Sequence, residues 1–200
     1  MYRRDFLLRT SLIWAAATAA AKRALADKGE KMIWPETPAN LSWRISIVPP
    51  DEPGEPLVVE GAVYGPDGKT PVPGIVVYAY NTDAGGYYAR NGHNYPPRLH
   101  GWMQTDASGR YELHTIRPGH YPGMQIPAHI HFNLWGAGYP RQWVEELRFE
   151  DDPLVTAAMR ETGGRGRPLR HRSTSAAGRR RRVALDVEYA GQQDFKLLGS

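Results

Sequence analysis

The sequence predicts an all-β chain folded as an antiparallel β-sandwich, and three observations carry that expectation. Short apolar runs recur at 41–48, 56–64, 75–81, 102–105, 110–115, 128–135, 142–149 and 183–189. Turn-forming clusters separate them, notably Gly65-Pro66-Asp67-Gly68, Asp106-Ala107-Ser108-Gly109 and Arg117-Pro118-Gly119. Glycine supplies backbone angles closed to other residues, proline presets φ, and aspartate bonds its own turn. Only 152–160 has a helical pattern, so the strand–helix alternation of a parallel sheet is missing. Two hundred residues, 41% of them hydrophobic, suffice for one domain with a sizeable core.

The chain begins with a different pattern. Arg3 and Arg4 precede an apolar run that continues to Ala21, and small residues at Ala24-Leu25-Ala26 suit a cleavage site. Residues 1–26 are therefore expected to be a twin-arginine export leader, which would place the mature protein in the periplasm or outside the cell. The run is too short and alanine-rich for a transmembrane span, so no membrane association is expected of the mature form. Residues 27–39 read as a flexible entry segment, and 40–200 as the sandwich domain.

The leader also accounts for the charge. The chain has 25 basic and 21 acidic residues, a net charge of +4. Removing Arg3, Arg4, Arg9, Lys22, Arg23 and Asp5 leaves 20 of each. A neutral mature chain gives no reason to expect a nucleic-acid partner. With no cysteine, disulfides and thiolate metal sites are excluded.

Two irregular stretches stand out. Residues 82–101 form a long connection rich in Gly, Tyr and His, and long loops in compact domains usually carry function. Residues 163–182 hold eight arginines and read as a solvated loop before the last strand. Pairing through this loop or a sandwich face leaves a homo-oligomer open.

The chemistry concentrates in Pro127-Ala128-His129-Ile130-His131-Phe132-Asn133-Leu134. On a strand, alternate side chains share a face, so His129, His131 and Asn133 point one way while Ile130, Phe132 and Leu134 point to the core. Two imidazoles on one face can hold one metal, although His-x-His alone is also common on ordinary polar surface. Upstream, Arg117-Pro118-Gly119-His120-Tyr121-Pro122 holds a tyrosine in a rigid turn, and Tyr88 lies in the long loop. Phenolates are hard anionic donors suited to a trivalent ion, whereas zinc sites seldom use them. Two tyrosinates and two neutral imidazoles would leave a ferric ion one net positive charge and an open position.

At these residues the chain resembles the intradiol ring-cleavage dioxygenases, the family of protocatechuate 3,4-dioxygenase and catechol 1,2-dioxygenase. Three segments carry the likeness: Asn81 through Tyr88, Thr105-Asp106-Ala107-Ser108-Gly109-Arg110-Tyr111 running on to Tyr121-Pro122, and Pro127-Ala128-His129-Ile130-His131-Phe132. The resemblance implies Fe(III), one per chain, held by Tyr88 and His129 as equatorial ligands and by Tyr121 and His131 as axial ones. Tyr87 and Tyr95 are the alternatives to Tyr88. It implies a small aromatic diol and O2 as substrates, cleavage of the ring between the two hydroxyl-bearing carbons, and a catalytic role for Tyr121, which leaves the ion and takes up a proton. Tyr80, Ile126 and Glu146 are the expected pocket residues.

Two of these depart from the pattern. Ile126 stands where the family usually has arginine, and Glu146 where it has glutamine. A lost cation beside a gained carboxylate should disfavour acidic catechols, because like charges repel strongly in a partly desolvated pocket. Arg90 and Arg98 are the candidates for a compensating cation. The departure also keeps a second expectation in play, a non-catalytic protein on this fold that binds a metal or a polyphenol.

Overall fold

The described residues of this computed structural model are 35–89, 96–162, 181–184 and 187–188. Their strands form two layers. The first sheet contains β1 (Arg44–Ser46), β2 (Pro56–Tyr64), β5 (Arg110–Ile116), β8 (Arg181–Ala184) and β9 (Val187–Glu188), in the order β1-β5-β2-β8 with β9 also on β2. The second contains β3 (Val76–Asn81), β4 (Leu99–Gln104), β6 (His129–Gly136) and β7 (Tyr139–Arg148), in the order β4-β3-β6-β7.

The core follows from the period of two. Leu57, Val59 and Val63 from β2, Tyr111 and Leu113 from β5, Val77 and Ala79 from β3, and Ile130, Phe132 and Leu134 from β6 form one buried cluster between the sheets. Every pairing at the centre of each sheet is antiparallel, as expected of this sandwich: β2 with β5, β3 with β4 and β6, and β6 with β7. The edges add parallel pairs that the turn pattern does not disclose, β1 on β5 and both β8 and β9 on β2.

Several boundaries differ from the sequence expectation for physical reasons. β4 begins at Leu99, so the long loop is shorter than 82–101. Gly101 looks like a strand breaker, yet a Cβ there would lie 2.6 Å from Ile45 Cδ1 and 2.8 Å from Ile47 Cγ2, so the strand needs a glycine. β7 begins at Tyr139 despite Pro140. It is an edge strand, where a missing N–H is tolerated, and Ala137 and Gly138, both at positive φ, make the tight turn from β6.

The helix α1 (Ala157–Thr162) starts five residues later than 152. Thr156 Oγ1 accepts the Met159 N–H at 3.2 Å as its cap, while Asp152 has another task described below. The Arg-rich stretch ends inside β8, which takes in Arg181 and Arg182. Residues 163–180 lie outside the described residues, as does the leader, and of the entry segment residues 35–39 are described, in irregular structure. No helix among the described residues is long and apolar enough to cross a membrane.

Candidate active site

Three segments meet on the outer face of the second sheet. β6 presents His129 and His131 on the face opposite Ile130, Phe132 and Leu134, as strand geometry requires. The turn after β5 brings Tyr121, and the loop after β3 brings Tyr88.

Glycines let these two loops interlock. Gly86 has φ +86°, and a Cβ there would fall 1.8 Å from the His120 carbonyl oxygen. A Cβ on Gly119 would meet the Ala84 carbonyl oxygen at 2.4 Å. The contact is held by Gly119 N–H donating to the Asp83 carbonyl at 2.9 Å, and by Thr82 Oγ1 donating to the Gly119 carbonyl at 3.0 Å. Asp83 Oδ1 accepts the N–H groups of Gly85 and Tyr87, both at 3.0 Å, which tightens the loop just before Tyr88.

Four donor atoms converge as a result. His129 Nε2 and His131 Nε2 are 3.0 Å apart, Tyr121 Oη is 3.0 Å from His129 Nε2 and 3.4 Å from His131 Nε2, and Tyr88 Oη is 2.8 Å from His131 Nε2. The two phenol oxygens are in direct contact. His129 Nδ1 lies 2.7 Å from the Pro127 carbonyl, which can only accept, so Nδ1 carries the proton and Nε2 turns a lone pair into the cluster. His131 Nδ1 faces Glu146 Oε1 at 3.5 Å, which orients its Nε2 lone pair the same way.

Burial sets the protonation states. It pushes the Tyr88 hydroxyl far above the usual phenol range, helped by the hydrogen bond with Tyr121 and by the charges nearby. Tyr121 is raised mainly by burial, against the hydrogen bond from Tyr88. Burial, then the neighbouring His129, lowers His131 to about 4, with Glu146 opposing. The neutral His131 imidazole, the His129 ring and two phenols in contact make a cluster whose protons a cation can replace. The donor set, hard phenol oxygens plus imidazole nitrogens, fits a trivalent iron.

The family model described as Dioxygenase matches residues 43–188, a span holding every one of these donors. The chain belongs to the intradiol dioxygenase family. This intradiol dioxygenase chain is 34% identical to catechol 1,2-dioxygenase 1 of Acinetobacter lwoffii over 125 residues, 53% of this chain and 40% of that one. It is 35% identical to the protocatechuate 3,4-dioxygenase beta chain of Burkholderia cepacia over 113 residues, 51% of this chain and 48% of that one. Both matches thus span less than half the relative's length. A solved structure, the dioxygenase domain of a dioxygenase carbohydrate-binding protein fusion from the cellulolytic bacterium Streptomyces sp. SirexAA-E, aligns with TM-score 0.56 and 28% identity. That alignment covers 80% of this chain and 96% of the other.

Of the residues singled out in the sequence, the dioxygenase fold gathers Tyr88, Tyr121, His129 and His131. Tyr87, the alternative to Tyr88, is 56% exposed, and Tyr95 lies outside the described residues. Tyr80 is buried and stacks on His131 with ring centroids 4.5 Å apart. Ile126 is 39% exposed.

Glu146 reaches the cluster itself, with Oε1 3.5 Å from His131 Nδ1 and 3.9 Å from His129 Nε2. A bulge directs it: Ile130 pairs with Leu147 but Phe132 with Val144, so β7 carries one extra residue opposite His131. His129, His131 and Glu146 could by themselves hold a metal ion.

Arg98 does not serve as the compensating cation. Its guanidinium binds both oxygens of Glu52 at 2.6 Å and lies 3.7 Å from Asp83. Arg90 lies outside the described residues. Among the described residues, the cation paired with Glu146 is one the sequence did not single out, Arg148, whose Nη2 is 3.2 Å from Glu146 Oε2. Its signal was available, since it lies two residues along the same strand. Trp143, 52% exposed and edge-on to His131 at 6.3 Å, was also missed.

Proposed function

We propose that this chain is an exported intradiol ring-cleaving dioxygenase of a catechol-type aromatic, using O2 and one ferric ion held by Tyr88, Tyr121, His129 and His131. The convergence of those four donor atoms within hydrogen-bonding distance carries the reading. The ion when bound would act as Lewis acid and template for the diol. Export rests on the arginine pair and the apolar run at the start of the sequence.

The chain's own residues supply the rest. His129 is fixed by its bond to the Pro127 carbonyl, and His131 by the Tyr80 ring and the Glu146 carboxylate, so the strand side of the site is rigid. Tyr121 rides on a turn instead of a strand, which suits a group that shifts as substrate enters and holds a diol proton at Oη. Trp143, edge-on to His131 at 6.3 Å, offers an apolar edge to the aromatic body of a substrate.

The two ligand sets separate cleanly by experiment. Ferric iron bound through both tyrosines should colour the protein, release about two protons on loading, and lose or shift its visible band in Tyr88→Phe and Tyr121→Phe. A set built on His129, His131 and Glu146 would release none from the phenols and leave the protein without a tyrosinate band. Oxygen uptake with catechol then tests turnover. A coloured protein that consumes no oxygen with any catechol would establish a binding protein instead.

A further inference from the structure

One buried carboxylate outside the donor set ties two of its members together. Asp152 has a side chain 1% exposed, and its Oδ2 accepts the Ala128 N–H at 2.8 Å and the His120 ring Nε2–H at 2.7 Å. Ala128 immediately precedes His129, and His120 immediately precedes Tyr121. Oδ1 accepts the Leu154 N–H at 2.9 Å, so the carboxylate cannot turn away from this bridge without losing a bond on its other oxygen.

The segment that carries it is itself anchored to the Tyr121 turn. Arg117 binds both oxygens of Asp151 at 2.9 and 3.0 Å and stacks its guanidinium on the Phe149 ring at 4.6 Å. Between β5 and β6 the chain has no strand of its own, so cross-links must decide where Tyr121 stands.

Resting on the proposed iron site, we infer that Asp152 is a positioning residue: through His120 and the Ala128 N–H it sets Tyr121 against His129, holding the two donors at the separation an ion needs. Residues that orient metal ligands typically change metal affinity or activity about 10- to 100-fold when altered. Asp152→Asn keeps the shape but puts an N–H2 group where acceptors are required. His120→Ala cuts the Tyr121 arm alone, and His120→Gln restores an N–H donor.

The test uses the full chain loaded with ferric iron. It reads iron affinity by competition with a chelator, the position of the visible band, and thermal melting of the metal-free protein. Asp152→Asn should weaken iron about 10-fold or more and move the band. His120→Ala should move the band with little change in melting, because its side chain is 41% exposed, and His120→Gln should return it toward the parent.

Iron affinity within about twofold of the parent and an unmoved band in both Asp152→Asn and His120→Ala would overturn the inference, whatever happens to melting. Should Asp152→Asn fail to fold, the two His120 variants decide alone. A parent that binds no iron overturns the proposed function and this inference together, whereas a coloured parent with unaltered variants overturns the inference alone.

Discussion

His131 has to be neutral to act as a ligand, and its surroundings enforce that at a cost in acid. Burial and the adjacent His129 lower its pKa to about 4 from 6.5. In the metal-free protein the unfolded chain therefore binds this proton between about pH 6.5 and 4 while the native state does not. Stability from this residue is complete above the unfolded value, falls as pH drops through that window, and levels off below about 4. The loss is on the order of 3 kcal/mol. Urea melts at pH 7.5 and 4.5 should show it in the metal-free parent and not in His131→Gln; equal losses in both would assign the acid sensitivity elsewhere. His129 and His131 were legible from strand alternation, because a period of two fixes which side chains share a face. The Asp152 bridge was not legible, since residues 32 apart meet only through the fold and Asp152-Pro153 looks locally like a helix start.

The site depends on two loops meeting where neither has room for a side chain. Gly86→Ala would place a methyl 1.8 Å from the His120 carbonyl oxygen at a φ of +86° that L residues avoid. Gly123→Ala has the same backbone strain, with φ +75°, but nothing within 4 Å. The control should cost about 1 kcal/mol and keep iron, while Gly86→Ala should cost about 2 kcal/mol more and lose it as Tyr88 moves off Tyr121. Matching iron affinities in the two variants would show that the loops do not need this contact. Elements were read well where apolar runs ended in turn residues, as in β2, whose limits match the expectation. They were misread where a residue had a tertiary reason to break its local rule, as with Gly101 under Ile45 and Pro140 on an edge strand. The bulge that turns Glu146 toward His131 exists only as a mismatch between two strands, so no single strand's sequence announces it.

At the scale of the whole molecule, the strands and loops together decide what charge the substrate meets. Glu146 lies 3.5 Å from His131, Arg148 balances its other oxygen at 3.2 Å, Arg98 is held by Glu52 and Asp83, and the exposed Ile126 contributes no charge. Among the described residues the site thus presents the Glu146 carboxylate, with Arg148 turned to its far oxygen. Neutral catechols should be preferred over carboxylated ones. Because Glu146 is about one-third exposed and paired, the repulsion is screened, and on the order of 1–2 kcal/mol is expected, roughly 5- to 30-fold. Glu146→Gln removes the repelling charge and should narrow that gap. Ile126→Arg adds a cation at an exposed position beside the Tyr121 turn and should narrow or reverse it, and the two effects should be close to additive only if the side chains do not touch. The measurement is the ratio of kcat/KM for catechol and protocatechuate in the parent, both single variants and the double variant. A parent that prefers protocatechuate, or a ratio indifferent to both substitutions, would mean that the acidic group of the substrate is met by a cation other than those described, and that Glu146 does not set the preference.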